Sequence, residues 1–244
     1  MLFIDTGALK NACNLVNCCL YNMQIYHGSD SIIKNPQFGF GNPHNDYGLG
    51  FYCTESEELA KEWACQKNKD GFLNLYELDV TNLTILDLSK PDFSILHWIS
   101  ILMQNRVFSP KSPLGKQNLD FLIQNYKIPY SSYDVICGYR ANDSYFSFAS
   151  DFLENVIPIQ SLATSMKLGS LGVQVVLKSE KAFSKIHFLK SDEASAAVYF
   201  PKYKARDTKA RTDYLVNLRK QKVLEGIYLI DIARNPELLH EIRL

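Results

Sequence analysis

The sequence has no excess charge of either sign and no long hydrophobic run. Its 26 Lys and Arg residues balance 26 Asp and Glu residues, so no overall charge attracts nucleic acid or an acidic membrane. No stretch approaches the roughly 18 uninterrupted apolar residues of a membrane span. The first residues also lack the basic and apolar regions of a secretory signal. These absences predict a cytoplasmic protein without membrane contact, in which any charged partner is recognised by a local patch.

Cysteine is scarce, and several common catalytic motifs are missing. The six cysteines contain no Cys-x-x-Cys pair and are too sparse for a disulfide scaffold, so we expect reduced and mostly buried thiols. The sequence contains no Gly-x-Ser-x-Gly elbow, no P-loop and no Gly-x-Gly-x-x-Gly turn. Its five histidines show no zinc-binding spacing. No metal site is therefore predicted.

What is present is the composition of a globular domain. The chain has 244 residues, of which 46% are hydrophobic and 21% charged, and this excludes a disordered or collagen-like protein. Strand and helix patterns are mixed without the regular alternation of a doubly wound sheet, which favours an α+β fold. We expect an N-terminal extension over residues 1–22, one domain over residues 23–235 and a C-terminal tail over residues 236–244.

The apolar periodicity predicts most of the regular elements. Strands are expected over residues 23–27, 51–54, 73–80, 84–88, 133–137 and 172–178. Helices are expected over residues 54–64, 92–106, 115–126 and 144–155. Thr54 and Ser179 are predicted to cap helices. A last long helix is predicted with Pro201 in its first turn and an end near Gly226.

Three residues occupy strand positions at which packing alone predicts apolar side chains. His27 ends the first predicted strand, in Tyr-His-Gly-Ser at residues 26–29. Tyr52 ends the segment Tyr-Gly-Leu-Gly-Phe-Tyr, and Gln174 lies inside Val-Gln-Val-Val-Leu. Each alone has an ordinary structural alternative, namely a hydrogen-bonded histidine, a core tyrosine and an outward-facing glutamine on a half-buried strand.

The His27 motif followed along the chain by the Tyr52 motif resembles the motif order of the ADP-ribosyltransferase superfamily. Its diphtheria-toxin-like branch, which includes the poly-ADP-ribose polymerases, has a strand ending in His-Gly-Ser or His-Gly-Thr and then a Gly-x-Gly-x-Tyr motif. The chain is also similar to an uncharacterised bacterial family of this type, often encoded beside small partner genes in toxin-antitoxin-like arrangements. The similarity spans residues 23–235 and includes a strand and turn like residues 135–143. It implies a split β-sheet core with surrounding helices.

The resemblance also implies a co-substrate and roles for particular residues. The co-substrate is NAD, whose carboxamide the backbone of Gly28 would bind, while His27 bonds the adenosine ribose and Tyr52 stacks on the nicotinamide ring. Gly48 and Gly50 would allow the turn that presents Tyr52. The residues expected at the cofactor are His27, Gly28, Ser29, Gly50, Tyr52 and Asp143. For Asp143 and the neighbouring Arg140, a plain turn is the alternative to a place in the cleft.

The third position departs from the polymerase pattern. Polymerase-type enzymes carry a glutamate in the segment that resembles residues 173–176, whereas this chain carries Gln174, which can bond but cannot take a proton. This argues against chain elongation. We expect a mono-ADP-ribosyltransferase, as a toxin or defence effector, with His27, Tyr52 and Gln174 as its catalytic residues. The alternatives are an NAD glycohydrolase toxin and a catalytically silent module that binds NAD, nucleic acid or protein.

A local basic patch is the remaining candidate for partner recognition. Residues 201–222 contain eight basic residues, interleaved with Tyr203 and Tyr214: Lys202, Lys204, Arg206, Lys209, Arg211, Arg219, Lys220 and Lys222. A basic helix of this kind suits contact with NAD pyrophosphate or with a nucleic-acid acceptor, whereas the usual role of such a charge run is a solvated face. The resemblance to the bacterial family implies a protein or nucleic-acid acceptor and, as a further partner, an antitoxin or immunity protein.

Overall fold

The computed structural model describes residues 22–141, 143–167, 172–220 and 226–241. The predicted N-terminal extension therefore lies outside the described residues up to residue 21, together with three of the six cysteines. The other three are free thiols, of which Cys53 and Cys65 are buried and Cys137 is half-buried. No helix in the described ranges is long and apolar enough to cross a membrane.

Seven strands and nine helices make up this part of the chain. The strands are β1 (Asn22–Ser29), β2 (Phe51–Cys53), β3 (Gly71–Asp79), β4 (Ile85–Asp87), β5 (Val135–Tyr139), β6 (Val173–Leu177) and β7 (Ile186–Ala194). The helices are α1 (Glu57–Ala64), α2 (Ile95–Asn105), α3 (Pro113–Asn125), α4 (Asp143–Leu153), α5 (Ile159–Lys167), α6 (Glu180–Phe183), α7 (Ala196–Lys220), α8 (Leu229–Arg234) and α9 (Leu238–Glu241).

The strands form two sheets, which confirms the predicted α+β fold. One sheet has the antiparallel order β1-β3-β7, and the other has the order β2-β6-β5-β4, with a parallel pair between β4 and β5. The sheets meet where Tyr26 and Thr54 exchange two backbone hydrogen bonds of 2.8 and 2.9 Å. This contact brings the edge of β1 beside β2.

Two large hydrophobic clusters, and a small third one around Ala64 and Ala196, hold the sheets and helices together. The larger cluster packs α2, α4 and α5 against one face of the second sheet, and its largest buried side chains include Trp98, Phe148 and Phe152. The smaller cluster lies between the two sheets around Ile25, Tyr76 and residues of β6. Burial of each such large side chain stabilises the fold by roughly 1.5–3 kcal/mol. Strands β1 and β2 are both anchored in the smaller cluster, and Tyr52 of β2 also packs against the larger one.

The structure confirms all six predicted strands, with ends shifted by a few residues. The predicted Thr54 cap is wrong, because Ser56 is the N-cap of α1 and its hydroxyl accepts from the Leu59 N–H. The backbone N–H and C=O of Thr54 instead form hydrogen bonds with Tyr26 of β1. Ser179 caps α6 as predicted.

Five elements differ from the sequence-based expectations. The long helix α7 begins at Ala196, so Pro201 lies inside it rather than in its first turn, at the cost of one backbone hydrogen bond. Strand β7 and helices α5 and α8 were not predicted. Only one of the nine residues of β7 is buried and three are charged, so its apolar alternation is weak. Helix α9 lies within the predicted tail.

Candidate ligand-binding site

A cavity of about 290 Å³ opens beside the exposed edge of β1. Its walls come from β1, β2 and β6, from the ends of α1, α2 and β5, and from α7. The lining residues are His27, Gly28, Asn45, Asp46, Tyr52, Trp63, Gln66, Arg106, Arg140, Ala141, Gln174 and Tyr203. Four predicted site residues, His27, Gly28, Tyr52 and Gln174, are thus brought together in one cavity.

His27 has one ring nitrogen committed to the protein. Its Nδ1 lies 2.7 Å from the Tyr52 carbonyl oxygen, and because a carbonyl only accepts, Nδ1 carries the proton and donates. The ring stacks on Phe51, with 4.4 Å between centroids, and burial lowers the pKa of His27. The neutral ring therefore presents Nε2 as a hydrogen-bond acceptor.

Gly28 is required by packing and leaves its backbone open to the cavity. A Cβ at this position would lie 1.9 Å from the Ala60 carbonyl oxygen, so β1 approaches α1 too closely for any side chain. The N–H and C=O of Tyr26 bond Thr54, away from β3. Backbone groups alternate sides along a strand, so those of Gly28, two residues later, point to the same open edge. A donor and an acceptor thus face the cavity side by side.

Tyr52 offers its ring rather than its hydroxyl. The hydroxyl donates to the Gly48 carbonyl oxygen at 2.6 Å and accepts from the Tyr47 N–H at 3.0 Å. Burial raises the pKa of Tyr52, which keeps the phenol protonated. The hydrogen bonds fix the ring orientation, so the aromatic face is the part of Tyr52 available for stacking.

The two glycines before Tyr52 serve the turn and its packing. Gly48 has φ +72°, which side chains rarely adopt, and its carbonyl anchors the Tyr52 hydroxyl. A Cβ on Gly50 would lie 2.8 Å from the Leu177 carbonyl oxygen. Gly50 therefore allows the turn to pack on β6 and does not line the cavity. Lys178 donates from Nζ to the carbonyl oxygens of Tyr47 and Leu49, which ties the same turn to the end of β6.

Gln174 is buried, with only 6% of its surface exposed, and no described residue bonds its Oε1. This burial contradicts the alternative of an outward-facing glutamine. In the antiparallel register, Tyr52 lies opposite Val176, two residues from Gln174, so the side chains of Tyr52 and Gln174 share one face of the sheet. An unsatisfied buried amide oxygen costs about 1–3 kcal/mol. Because Gln174 lies in the cavity wall, this acceptor is available to a ligand that donates a hydrogen bond.

A charged pair that the sequence analysis missed closes one side of the cavity. Asp46 is 3% exposed, and its two oxygens accept from Arg106 Nε and from the Ala141 N–H, both at 2.7 Å. Arg106 also donates to the Ala141 carbonyl oxygen at 2.6 Å. These bonds tie the loop before β2 to the segment after β5. No local spacing relates Asp46 to Arg106, so sequence reasoning had no signal for the pair.

A second cavity of about 330 Å³ adjoins the first. It is lined by Gly28, Ser29, Asp30, Trp63, Ala64, Gln66, Lys67, Lys69 and Asp70. Gly28, Trp63 and Gln66 line both cavities. Ser29, another predicted site residue, therefore lies in the second compartment of a two-part site. Asp143 begins α4, and its side chain lies outside the described residues.

About half of the predicted basic patch is paired with carboxylates. Four of its members make ion pairs: Lys202 with Glu58 at 2.7 Å, Arg206 with Glu62 at 2.8 Å, Lys209 with Asp213 at 2.6 Å and Arg211 with Asp207 at 3.1 Å. The first two pairs dock α7 onto α1. Lys222 lies outside the described residues. The pairing favours the interpretation of α7 as a packed and solvated helix over a nucleic-acid surface.

Arg206→Gln is expected to lower the free energy of unfolding by about 2 kcal/mol, because the carboxylate of Glu62 is buried and would lose both bonds from the guanidinium. Lys209→Gln, which breaks an exposed pair on the same helix, should change it by less than about 0.5 kcal/mol. Urea denaturation measures both. Equal effects would contradict the assignment of Arg206 as the anchor of α7.

A protein-family model described as "Protein of unknown function (DUF3990)" matches residues 23–188. Comparison with curated proteins and with solved structures gave no match. The matched range begins at the second residue of β1 and ends inside β7. It includes the strands that carry His27, Tyr52 and Gln174, and it stops before α7.

Proposed function

The chain belongs to the DUF3990 family of proteins of unknown function, and we propose that it is an NAD-dependent mono-ADP-ribosyltransferase. The main support is the unpartnered amide of Gln174, which lies in the same cavity as His27, Gly28 and Tyr52. These residues come from three strands and two sheets. They belong to the motifs by which the sequence resembles the ADP-ribosyltransferases, and they lie together in one cavity.

The geometry supplies a partner for each part of the nicotinamide riboside. The Tyr52 ring stacks on nicotinamide, while the N–H and C=O of Gly28 bond the carboxamide, which has one acceptor and one donor in complementary positions. The Oε1 of Gln174 accepts from a hydroxyl of the nicotinamide ribose. His27 Nε2 accepts from a hydroxyl of the adenosine ribose. Each group thus uses an atom that the protein itself leaves open.

The reaction breaks the bond between C1′ of the ribose and the nicotinamide nitrogen. Its electron pair leaves with nicotinamide, and an acceptor oxygen or nitrogen attacks C1′ and releases its proton to solvent. The transition state is oxocarbenium-like, so hydrogen bonds that orient the ribose and a flat site for the leaving ring lower its energy. Tyr52 and Gln174 provide these two contributions.

The shape of the site favours a dinucleotide. The second cavity continues from the first across Gly28, Trp63 and Gln66, and its wall carries Lys67 and Lys69 together with Asp30 and Asp70. A ligand with two nucleosides has room to place one in each compartment. A mononucleotide would leave one compartment empty.

A single transfer suits this cavity better than chain elongation. Asp46 is the one acid among the described residues of the first cavity wall, and both of its oxygens are engaged by Arg106 and Ala141. No free carboxylate there serves as a base for a sugar hydroxyl. The acceptor is a protein or nucleic acid, and by analogy with the resembling bacterial family we expect an antitoxin or immunity partner.

Incubation of the purified protein with NAD labelled in its adenylate part and with cell extract tests the proposal. Nicotinamide release together with label on a macromolecule, identified by mass spectrometry, is the expected result. Release with free ADP-ribose alone would favour an NAD glycohydrolase. Binding without release would indicate a silent module, and absence of binding would overturn the proposal.

His27→Gln is expected to weaken NAD binding about 5- to 10-fold, because one hydrogen bond to the ribose is lost. Isothermal titration calorimetry measures the change. His44→Gln is the matched control, since His44 is exposed and bonds the Asn105 carbonyl oxygen outside the cavity wall. Equal losses in the two variants would remove His27 from the ligand contacts.

The same proteins give a pH test of the His27 assignment. Burial lowers the pKa of His27 below 6.5, so Nε2 is a free acceptor at all higher pH values. NAD affinity of the wild type should stay constant above about pH 6.5 and fall at lower pH, as the ring gains a proton. His27→Gln should lack this decline. A decline of equal size in both would assign it to another group.

A further inference from the structure

Arg140 occupies an unusual position in the cavity wall. It directly follows β5, and its guanidinium carbon lies 4.3 Å from the centroid of the Trp63 ring, on the aromatic face. Stacking of this kind fixes the plane of the guanidinium and leaves its N–H edges free for planar oxygen acceptors. The contact with Trp63 therefore orients Arg140 and leaves its guanidinium N–H groups available for hydrogen bonds.

The carboxylates near Arg140 are engaged by other cations. Asp46 accepts from Arg106 and from the Ala141 N–H. Glu62 takes two bonds from Arg206, at 2.9 and 2.8 Å. Among the described residues, none forms an ion pair or a hydrogen bond with Arg140.

The resulting charge balance of the cavity is positive. The Asp46–Arg106 and Glu62–Arg206 pairs are neutral, and His27 is uncharged, so the guanidinium of Arg140 remains uncompensated. Burial of an unpaired charge is costly, and here it also lowers the pKa of Arg140. An anionic group on the bound ligand would remove this cost.

The position along the site narrows the choice of anion. Trp63, on which Arg140 stacks, is one of the three residues that line both compartments. Its buried Nε1–H has no partner among the described residues, which places a second open donor on the ring that supports Arg140. In a ligand that fills both compartments, the group linking its two halves would lie beside Trp63 and Arg140.

We propose that Arg140, held against Trp63, binds a phosphate group that links the two halves of the ligand. For NAD, this group is the pyrophosphate, so the proposal rests on the proposed function for the identity of the ligand. The phosphate also neutralises a positive charge that would otherwise oppose the oxocarbenium-like transition state. The site therefore selects NAD over nicotinamide riboside, which has no phosphate.

Calorimetry with ADP-ribose, inorganic pyrophosphate and nicotinamide as separate probes tests this role. Arg140→Gln should weaken ADP-ribose and pyrophosphate binding about 10- to 100-fold, because charge-assisted bonds are lost, and leave nicotinamide affinity unchanged. Arg140→Lys should show a smaller loss, since it keeps the charge without the planar fork. Arg211→Gln, which removes an exposed arginine of α7, is the control and should bind like the wild type.

The probes separate failure of this proposal from failure of the proposed function. If ADP-ribose and pyrophosphate bind Arg140→Gln and the wild type equally, Arg140 is not a phosphate ligand. If the wild type does not bind nicotinamide but binds pyrophosphate through Arg140, the phosphate subsite holds and the NAD assignment fails. If Arg140→Gln does not fold, Arg140→Lys decides, and phosphate binding unchanged from the wild type would overturn the proposal. Affinity for ADP-ribose, and not for nicotinamide, should fall as salt is added.

Discussion

Gln174→Glu is expected to raise the rate of nicotinamide release from NAD about 100-fold. The buried Oε1 of Gln174 orients the ribose as an acceptor but places no negative charge beside the forming oxocarbenium ion. A carboxylate at this position supplies that charge in a site sheltered from water, where one such group is worth roughly 10²–10³ in rate. NAD affinity should change much less than the rate, since the added charge acts mainly on the transition state.

The variant also has to accommodate a buried carboxylate. Burial raises the pKa of such a group, whereas the guanidinium groups of Arg140 and Arg106 in the same cavity oppose that shift. The rate increase should therefore grow as pH rises through the pKa of the new carboxyl group. Urea denaturation in parallel shows whether the fold is retained.

Two further variants isolate the role of position 174. Asn45→Asp adds a carboxylate at a residue that lines the first cavity but not the second, and it is expected to leave the rate near that of the wild type. Gln174→Ala should lower turnover more than affinity, because the ribose loses its orienting acceptor. If Gln174→Ala releases nicotinamide as fast as the wild type, Gln174 does not contact the ribose and the proposed alignment of β6 is wrong.

Tyr52→Ala is expected to weaken NAD binding by about 100-fold. Loss of stacking between an aromatic side chain and a ring accounts for roughly 1–3 kcal/mol. The substitution also frees the turn before β2, since the Tyr52 hydroxyl bonds Gly48 and Tyr47. Calorimetric titration with NAD and with nicotinamide alone measures the effect, and both ligands should lose affinity.

Tyr52→Phe separates the ring from the hydroxyl. It keeps the stacking face and removes only the bonds to Gly48 and Tyr47, so affinity should fall less than about 5-fold. Tyr130→Phe is the control, because its hydroxyl bonds Asn105 nearby without lining the cavity. Equal affinities for wild type and Tyr52→Ala would exclude stacking on Tyr52.

Local patterns predicted the strands that carry the candidate site. Alternation of apolar residues indicated β1 and β6, and the glycines before Tyr52 indicated a turn, which the positive φ of Gly48 confirms. These signals are local because side-chain alternation and left-handed backbone conformations depend on neighbouring residues. The function itself stays a proposal, because it depends on the resemblance of these motifs to those of the ADP-ribosyltransferases.

Other sequence signals were local but ambiguous. Thr54 and Ser56 both precede α1 and both suit an N-cap, and the pairing of Thr54 with Tyr26 across the two sheets selects Ser56. Pro201 suits a first turn, yet α7 begins five residues earlier. There the Ala196 N–H bonds Asp70 Oδ1, and Ala196 packs in a cluster with Ala64 of α1. In both cases a tertiary contact decided between positions of similar intrinsic preference.

The sequence by itself determined which residues carry hydrogen-bonding and stacking chemistry on β1, β2 and β6, because strand periodicity and turn glycines are encoded within a few residues. Only the tertiary structure decided the charge of the site. Asp46 meets Arg106 across 60 residues of sequence, and Trp63 meets Arg140 across 77 residues. These long-range contacts pair Arg106 with a carboxylate and leave Arg140 available to a ligand. No spacing of residues along the sequence predicts them.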